Sequence, residues 1–153
     1  MPLLQTKYFG PLPYRAESVF NFPAGLPSFD EERSFVPIEL PESSPLIFLQ
    51  SLARPSLCFL TLPILVVDRG YRLAVSSEDL AELDLDPDHQ PELARDVLVL
   101  ALVSLHDGFS ATANLMAPIV VNLNTRRALQ AIRRDSAYSH QQAISLPAQE
   151  TAC

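Results

Sequence analysis

The stretch Asp96-Val97-Leu98-Val99-Leu100-Ala101-Leu102-Val103-Ser104-Leu105 decides the fold class, because residues 97 to 103 are apolar at every position. A half-exposed strand would alternate apolar and polar residues, so this run suits a central strand covered on both faces. Asp96 precedes it and His106-Asp107-Gly108 ends it, and nowhere does the chain approach the roughly eighteen uninterrupted apolar residues of a membrane helix. A soluble domain with a β core is the expectation.

Outward from this strand, 14 prolines interrupt the chain, and the apolar segments between them are short and rich in β-branched and aromatic residues. Strands are expected near Val19–Phe22, Phe35–Glu39, Leu46–Ser51, Leu57–Leu62, Tyr71–Val75, Asp96–Leu105, Ala111–Leu115 and Pro118–Asn122. A mainly β, antiparallel meander of about eight strands buries its edges most simply as a small barrel or sandwich. One or two short helices complete it. The first spans Ser77–Leu83, where Ser76 or Ser77 can cap and the acids lie near the positive end of the helix dipole; a further turn can begin at Pro87. Residues 125–132 are ambiguous, since the apolar spacing at 128, 129, 131 and 132 fits a helical face as well as a strand.

The 153 residues, 48% of them apolar, suffice for one domain with a real core. The N-terminus, Met1-Pro2-Leu3-Leu4-Gln5-Thr6-Lys7-Tyr8, lacks a basic region followed by an apolar stretch, so a cytoplasmic location is expected. Cys58 lies in an apolar run and Cys153 is the last residue, which favours a buried, inert thiol at Cys58 over a disulfide. Two cysteines without C-x-x-C spacing and three isolated histidines form no recognisable metal set, and no cofactor is expected. Ser104, His106 and Asp107 have the residue types of a small hydrolase, but adjacent strand residues point to opposite faces, which separates the base from its orienter. No phosphate-binding glycine loop is present, and the chain is read as non-enzymatic.

Charge is bipolar. Eight of the 18 acids, Glu78, Asp79, Glu82, Asp84, Asp86, Asp88, Glu92 and Asp96, fall within nineteen residues, while Arg126, Arg127, Arg133 and Arg134 gather later. A net charge of -7 disfavours direct binding of nucleic acid or an anionic membrane and favours a basic protein partner. The alternative reading of the acidic run is a solvated helix and loop.

The block Asn114-Leu115-Met116-Ala117-Pro118-Ile119-Val120-Val121-Asn122, followed by Arg126-Arg127 and Gln130, resembles the "NL.API.IN…RR…Q" signature of the FliW flagellar assembly factors. Phe22-Pro23-Ala24-Gly25-Leu26-Pro27-Ser28-Phe29 resembles that family's F-x-x-G-L-P-G-F-E opening, with Ser28 in place of glycine and Asp30 in place of the commoner Glu, and Phe48-Leu49-Gln50-Ser51 is similar to its F-L-Q-S element. The region from Tyr71 to Leu83 matches a strand leading into a short acidic helix. The resemblance implies one β domain over residues 1–140 and a strand after the turn at Arg126; residues 141–153, polar and rich in small residues, are expected to be a flexible tail. It implies a protein that binds two partners, the RNA-binding translational regulator CsrA and flagellin, relieving repression of flagellin translation until free flagellin competes. A monomer is expected. A dedicated flagellin export chaperone is the alternative.

Candidate partner-binding residues are Asn114, Asn122, Arg126, Arg127 and Gln130, with Gln50, Ser51 and the acids Glu78, Asp79, Glu82 and Asp84. The two asparagines can face a partner at strand ends or satisfy backbone groups in their own turns. Arg126 and Arg127 can clamp carboxylates bidentately or remain solvated. Gln50 and Ser51 can finish a strand or line a contact surface. Pro118 reads as a strand start or bulge marker, and Phe29, Phe48 and Leu49 as core.

Overall fold

A computed structural model describes residues 2–27, 29–106 and 110–145. In chain order the elements are β1 (Leu3–Thr6), β2 (Gly10–Pro13), β3 (Phe20–Asn21), β4 (Ser34–Ile38), β5 (Ile47–Ser51), β6 (Cys58–Pro63), α1 (Ile64–Val67), α2 (Ser77–Glu82), β7 (Val97–Leu105), β8 (Ala111–Asn122), β9 (Ala128–Gln130) and β10 (Gln142–Ile144). β1 and β2 form a separate hairpin, and the remaining strands form one antiparallel sheet in the order β10-β8-β7-β6-β5-β4-β3, with β9 beside β8. The long β8 holds β10 along its first half and β9 along its second. A parallel bridge joins Asn21 to Arg127, where the Asn21 N–H donates to the Arg126 carbonyl at 2.9 Å, so β3 meets the start of β9 and the sheet closes into a barrel. Among the described residues no helix is long and apolar enough to cross a membrane.

Both faces of β7 are buried, as its unbroken apolar run requires. Leu100, with Ile119 and Val121 of β8, points into the barrel against Phe20, Phe22, Phe35, Ile47 and Leu49. Val97, Val99 and Ala101 point outward against Ile64, Tyr71, Val75, Leu80 and Leu83 of the segment that wraps the barrel. That segment is an outer layer rather than part of the sheet.

Several expectations are corrected. Residues 71–75 form no strand: the Val75 N–H donates to Gln90 Oε1 at 2.9 Å and its carbonyl accepts from Gln90 Nε2 at 2.8 Å, so one side-chain amide substitutes for a neighbouring strand. The two strands expected at 111–115 and 118–122 are one strand with a bulge, since Leu100 pairs with Ile119 but Leu102 pairs with Asn114. Residues 128–130, ambiguous by apolar spacing, are the strand that the family resemblance implies, because the facing edge of β8 is there to pair with them. Gln142–Ile144, placed in the tail by sequence, pair with Ala111–Ala113 as β10; main-chain bonding at an edge asks little of side-chain type. The hairpin β1–β2, the single turn α1 and β10 carried no clear pattern. The rest of the tail, 146–153, and Ser28 lie outside the described residues.

α2 follows its sequence signals closely. The Ser76 Oγ accepts from the Asp79 N–H at 3.1 Å, and Glu78 and Asp79 occupy the first turn. At its other end the Leu85 N–H donates to the Leu80 carbonyl at 2.9 Å and the Asp84 N–H to the Ala81 carbonyl at 3.1 Å, with Asp84 left-handed at φ 59°. This is a Schellman cap in which an aspartate takes the place usually given to glycine.

Candidate functional site

The polar residues of the 114–130 block are mostly spent on the fold. The Asn114 Oδ1 accepts from the Met116 and Ala117 N–H groups, both at 3.0 Å, and so caps the bulge of β8. Pro118 sits in that bulge, where its missing donor costs nothing and its carbonyl accepts from the Ala131 N–H at 2.8 Å. Asn122 is buried; its Oδ1 accepts from the Asn124 N–H at 2.8 Å and organises the β8–β9 loop, while its Nδ2 donates to the Leu83 carbonyl at 2.7 Å. Arg127 Nε donates to the adjacent Glu82 carbonyl at 2.8 Å. Asn122 and Arg127 thus hold two successive carbonyls at the end of α2, where a cation also meets the negative end of the helix dipole.

Arg127 also lies 3.9 Å from a Glu82 carboxylate oxygen and 3.6 Å from one of Asp84, and Arg134 lies 3.8 Å from Glu78. The acidic run and the late arginines, separate in sequence, therefore meet around α2. These pairs are exposed, so each contributes about 1 kcal/mol or less. Arg126 is left-handed at φ 65° and serves the barrel closure through its main chain. Gln130 Nε2 donates to the Ala117 carbonyl at 3.0 Å.

Gln50 and Ser51 lie elsewhere. Both are fully buried. Gln50 Nε2 donates to the carbonyls of Ser51, Arg54 and Pro55 at 3.1, 3.3 and 3.2 Å. The Ser51 Oγ donates to the buried Glu32 carboxylate at 3.1 Å and accepts from the N–H groups of Ala53 and Arg54 at 3.2 and 3.0 Å. This arrangement fixes the β5–β6 turn. Leu49 is buried in the barrel, Phe29 stacks edge-on against Phe59 at 5.4 Å, and Phe48 against Phe9 at 5.3 Å.

One residue that the sequence marks only as part of the late arginine cluster is central to the outer layer. The Arg133 guanidinium is buried between Tyr71 and Tyr138, with its carbon 5.5 and 4.8 Å from the two ring centres. It donates to both Asp135 carboxylate oxygens at 2.9 Å and to the Arg72 carbonyl, while the Tyr71 hydroxyl donates to the Leu115 carbonyl at 3.0 Å. The hydrogen bonds to Arg133 hold the Asp135 carboxyl below its ordinary pKa, and burial pushes the Tyr71 phenol above its own. The separations between these residues, 62 positions between Tyr71 and Arg133, leave no local signal to read.

The cavity that gathers sequence-selected residues opens between α2, β9 and the loop after β3. It has a volume of about 380 Å³ and is lined by Pro23, Gly25, Asp30, Asp79, Glu82 and Gln130 among others. A smaller hollow of about 290 Å³ beside Glu78, Ile132 and Arg134 shares Asp79 and Gln130 with it. In the loop wall Gly25 is left-handed at φ 69°, and a Cβ there would strike the main chain of Asp30. That close approach explains the glycine of the F-x-x-G-L-P motif.

Features of a reaction centre do not converge on this cleft. His106 Nε2 lies 3.0 Å from the Thr112 hydroxyl on the exposed end of β7, and Asp107 lies outside the described residues. Cys58 is a free thiol whose pKa burial pushes up to about 11, far from a reactive thiolate. Among the described residues no three histidine, cysteine or acidic side chains gather as a metal site.

A nearly closed β barrel with a wrapped outer layer and an acidic cleft beside a short helix defines the chain as a small, single-sheet barrel-like β protein. The family model described as FliW protein matches residues 3–144. The chain belongs to the FliW family. It is 37% identical over 145 residues to the flagellar assembly factor FliW of Bacillus licheniformis, covering 93% of this chain and 96% of that one. It is 32% identical over 138 residues to the corresponding protein of Bacillus subtilis, covering 90% and 92%. A crystal structure of the flagellar assembly factor FliW superposes with a TM-score of 0.81 at 28% identity, covering 94% of this chain and 97% of that one.

Proposed function

We propose that this protein is a cytoplasmic flagellar assembly factor that binds the translational regulator CsrA, relieves its repression of flagellin mRNA, and exchanges that partner for flagellin. Family membership along residues 3–144 is the observation that carries the reading. The placement of acids supplies a physical mechanism. An RNA-binding protein presents basic surface, and a partner of net charge -7 docked beside it repels phosphate without covering every RNA contact. Glu78, Asp79, Glu82 and Asp84 lie on and just beyond α2, and neutralising all four is expected to weaken inhibition of RNA binding most at low salt. Unchanged inhibition at low salt would remove this electrostatic account.

The alternative of a dedicated export chaperone needs a continuous apolar strip for an amphipathic helix. The exposed large apolar side chains among the described residues are Leu3, Tyr8, Leu65, Val66, Leu105 and Ile132, of which only Leu65 and Val66 are adjacent in sequence. The charged face therefore favours the regulator as the first partner. Calorimetry with the organism's own CsrA and flagellin, separately and together, tests the proposal: CsrA should bind and flagellin should displace it. Binding of flagellin alone would favour the chaperone, and binding of neither would overturn both readings.

A further inference from the structure

We infer that the hairpin β1–β2 is a flap, which opens from the outer face of β4 to β6 while the barrel stays folded and uncovers an apolar strip made by Val36, Ile38 and Phe48. The inference does not depend on the partners proposed above.

Alternation along the strands places the hairpin. Phe35, Ile47 and Leu49 belong to the barrel core, so Val36 and Ile38 of β4 and Phe48 and Gln50 of β5 point outward. Cys58 of β6 stands directly opposite Gln50 and shares its face. The hairpin lies over this face. Phe9 in its turn meets Phe48 edge-on with 5.3 Å between ring centres, and Leu12 and Pro13 near its base line a groove of about 320 Å³ against Val36 and Ile38.

The hairpin is better made within itself than it is attached. The Thr6 hydroxyl donates to the Gly10 carbonyl at 2.8 Å and accepts from the Phe9 N–H at 2.9 Å, which sets the turn, and the Tyr14 N–H closes the base on the Pro2 carbonyl at 3.1 Å. Main-chain groups alternate in direction, so with Tyr14 bonded to Pro2 those of Leu12 and Gly10 also face β1, while Pro11 and Pro13 face away. By the same rule the bond from the Leu52 N–H to the Ser34 carbonyl turns Val36 toward β5 and Pro37 toward the uncovered edge of β4. Both edges that could zip together thus present prolines, which offer no donor. The hairpin rests on the sheet by side chains and does not join it. Among the described residues a single main-chain hydrogen bond crosses to the barrel, from the Lys7 N–H to the Pro55 carbonyl at 2.9 Å. A two-stranded hairpin has little stability of its own once it leaves a packed face.

What lies on the covered face favours opening. Gln50 Nε2 shares the Pro55 carbonyl with Lys7, and Gln50 Oε1 is buried with no hydrogen-bond partner among the described residues. An unmet acceptor is a penalty of the closed state that solvent relieves when the flap lifts. The groove at the base means that little packing is lost there, so the contact of Phe9 with Phe48 is the main one to break. Cys58, half-buried on the same face, is a built-in reporter. Burial pushes its thiol pKa up to about 11, so uncovering it raises both its access and its thiolate fraction.

The test is thiol labelling of the folded full chain in a Cys153→Ser background with a bulky aromatic disulfide reagent, beside denaturant unfolding and amide hydrogen exchange. Cys58 should react far more slowly than in the unfolded chain, at a rate nearly independent of denaturant below the unfolding transition, because a local opening exposes little surface. Phe9→Ala should speed labelling by about tenfold or more and leave the unfolding midpoint nearly unchanged, whereas Leu100→Ala should lower the midpoint and leave labelling within about twofold. Phe9→Leu, which keeps an apolar tip, should stay within about threefold of wild type. Amide exchange in Phe9→Ala should accelerate at residues 3–13 and stay slow in β7 and β8. Labelling that follows the global unfolding curve overturns the flap, as does a Phe9→Ala protein that fails to fold or loses as much stability as Leu100→Ala, because the hairpin would then belong to one cooperative unit. Unchanged labelling in Phe9→Ala, or wild-type labelling as fast as in the unfolded chain, would mean that the hairpin does not cover Cys58, and overturns it equally.

Discussion

The two faces of β7 are buried by different kinds of construction. On the inner face Leu100 meets a ring of strands whose alternate residues, Phe20, Phe35, Ile47, Leu49 and Ile119, all point to one centre. On the outer face Val97, Val99 and Ala101 meet a chain segment with two short helices, pinned by single side chains to carbonyls and amides. Asn122 and Arg127 hold the end of α2, Gln90 holds Val75, and Tyr71 and Arg133 hold the stretch around Arg72. The inner face depends on pattern and volume, the outer on particular polar atoms. Loss of one methyl group is averaged over many neighbours inside, whereas outside the loss of one amide leaves buried main-chain groups without partners.

The largest effect is expected inside. Leu100→Ala removes a fully buried side chain from the middle of the barrel and should cost about 2–5 kcal/mol, measured as a lowered denaturant midpoint with an unchanged slope. A cost under about 1 kcal/mol would mean that the barrel centre collapses to fill the space, and that the inner face is less closely packed than its burial indicates.

Asn122→Ala should cost less, about 1–3 kcal/mol, by stranding the Leu83 carbonyl and the Asn124 and Thr125 N–H groups. Its location is the sharper measurement. Amide hydrogen exchange should accelerate in residues 71–95 and stay slow in β4 to β6. Equal acceleration in both would break the comparison, because it would make barrel and outer layer one cooperative unit.

This contrast also governs what could be read from the sequence. The barrel strands β3 to β8 were legible, because period-two alternation or an unbroken apolar run states which faces are covered. The outer layer was not: Tyr71–Val75 has the composition of a strand, but its partner is the side chain of Gln90, and no local rule announces that. Asn114 and Pro118 mark the middle of β8 as strand ends until the bulge they build is seen. Of the candidate site, the residues around α2 were legible in part. Helix signals located Glu78, Asp79 and Glu82, and the resemblance singled out Asn122, Arg127 and Gln130, which the fold brings to the same helix and its cleft. Gln50 and Ser51 belong to a different turn, tied to Glu32 and Arg54. Arg133 and its two tyrosines had no spacing that could expose them.

The smallest effect concerns that last group, and pH isolates it. Asp135 is exposed, but its carboxylate accepts both hydrogen bonds that orient the buried Arg133 guanidinium, and those bonds hold its pKa below the ordinary carboxylate value. A carboxyl depressed in the folded state contributes stability that is complete above its unfolded pKa and is lost as pH falls through the folded one. Wild type should therefore be more stable than Asp135→Asn at neutral pH, with the difference shrinking as pH drops below the ordinary carboxylate range. Arg133 keeps its charge throughout and stays between Tyr71 and Tyr138, so the outer layer should loosen at this corner without detaching. Denaturant unfolding of the two proteins across acidic and neutral pH measures the difference. A gap independent of pH would mean that the asparagine, not the lost charge, is responsible, and that the stacking on the two rings alone positions the guanidinium.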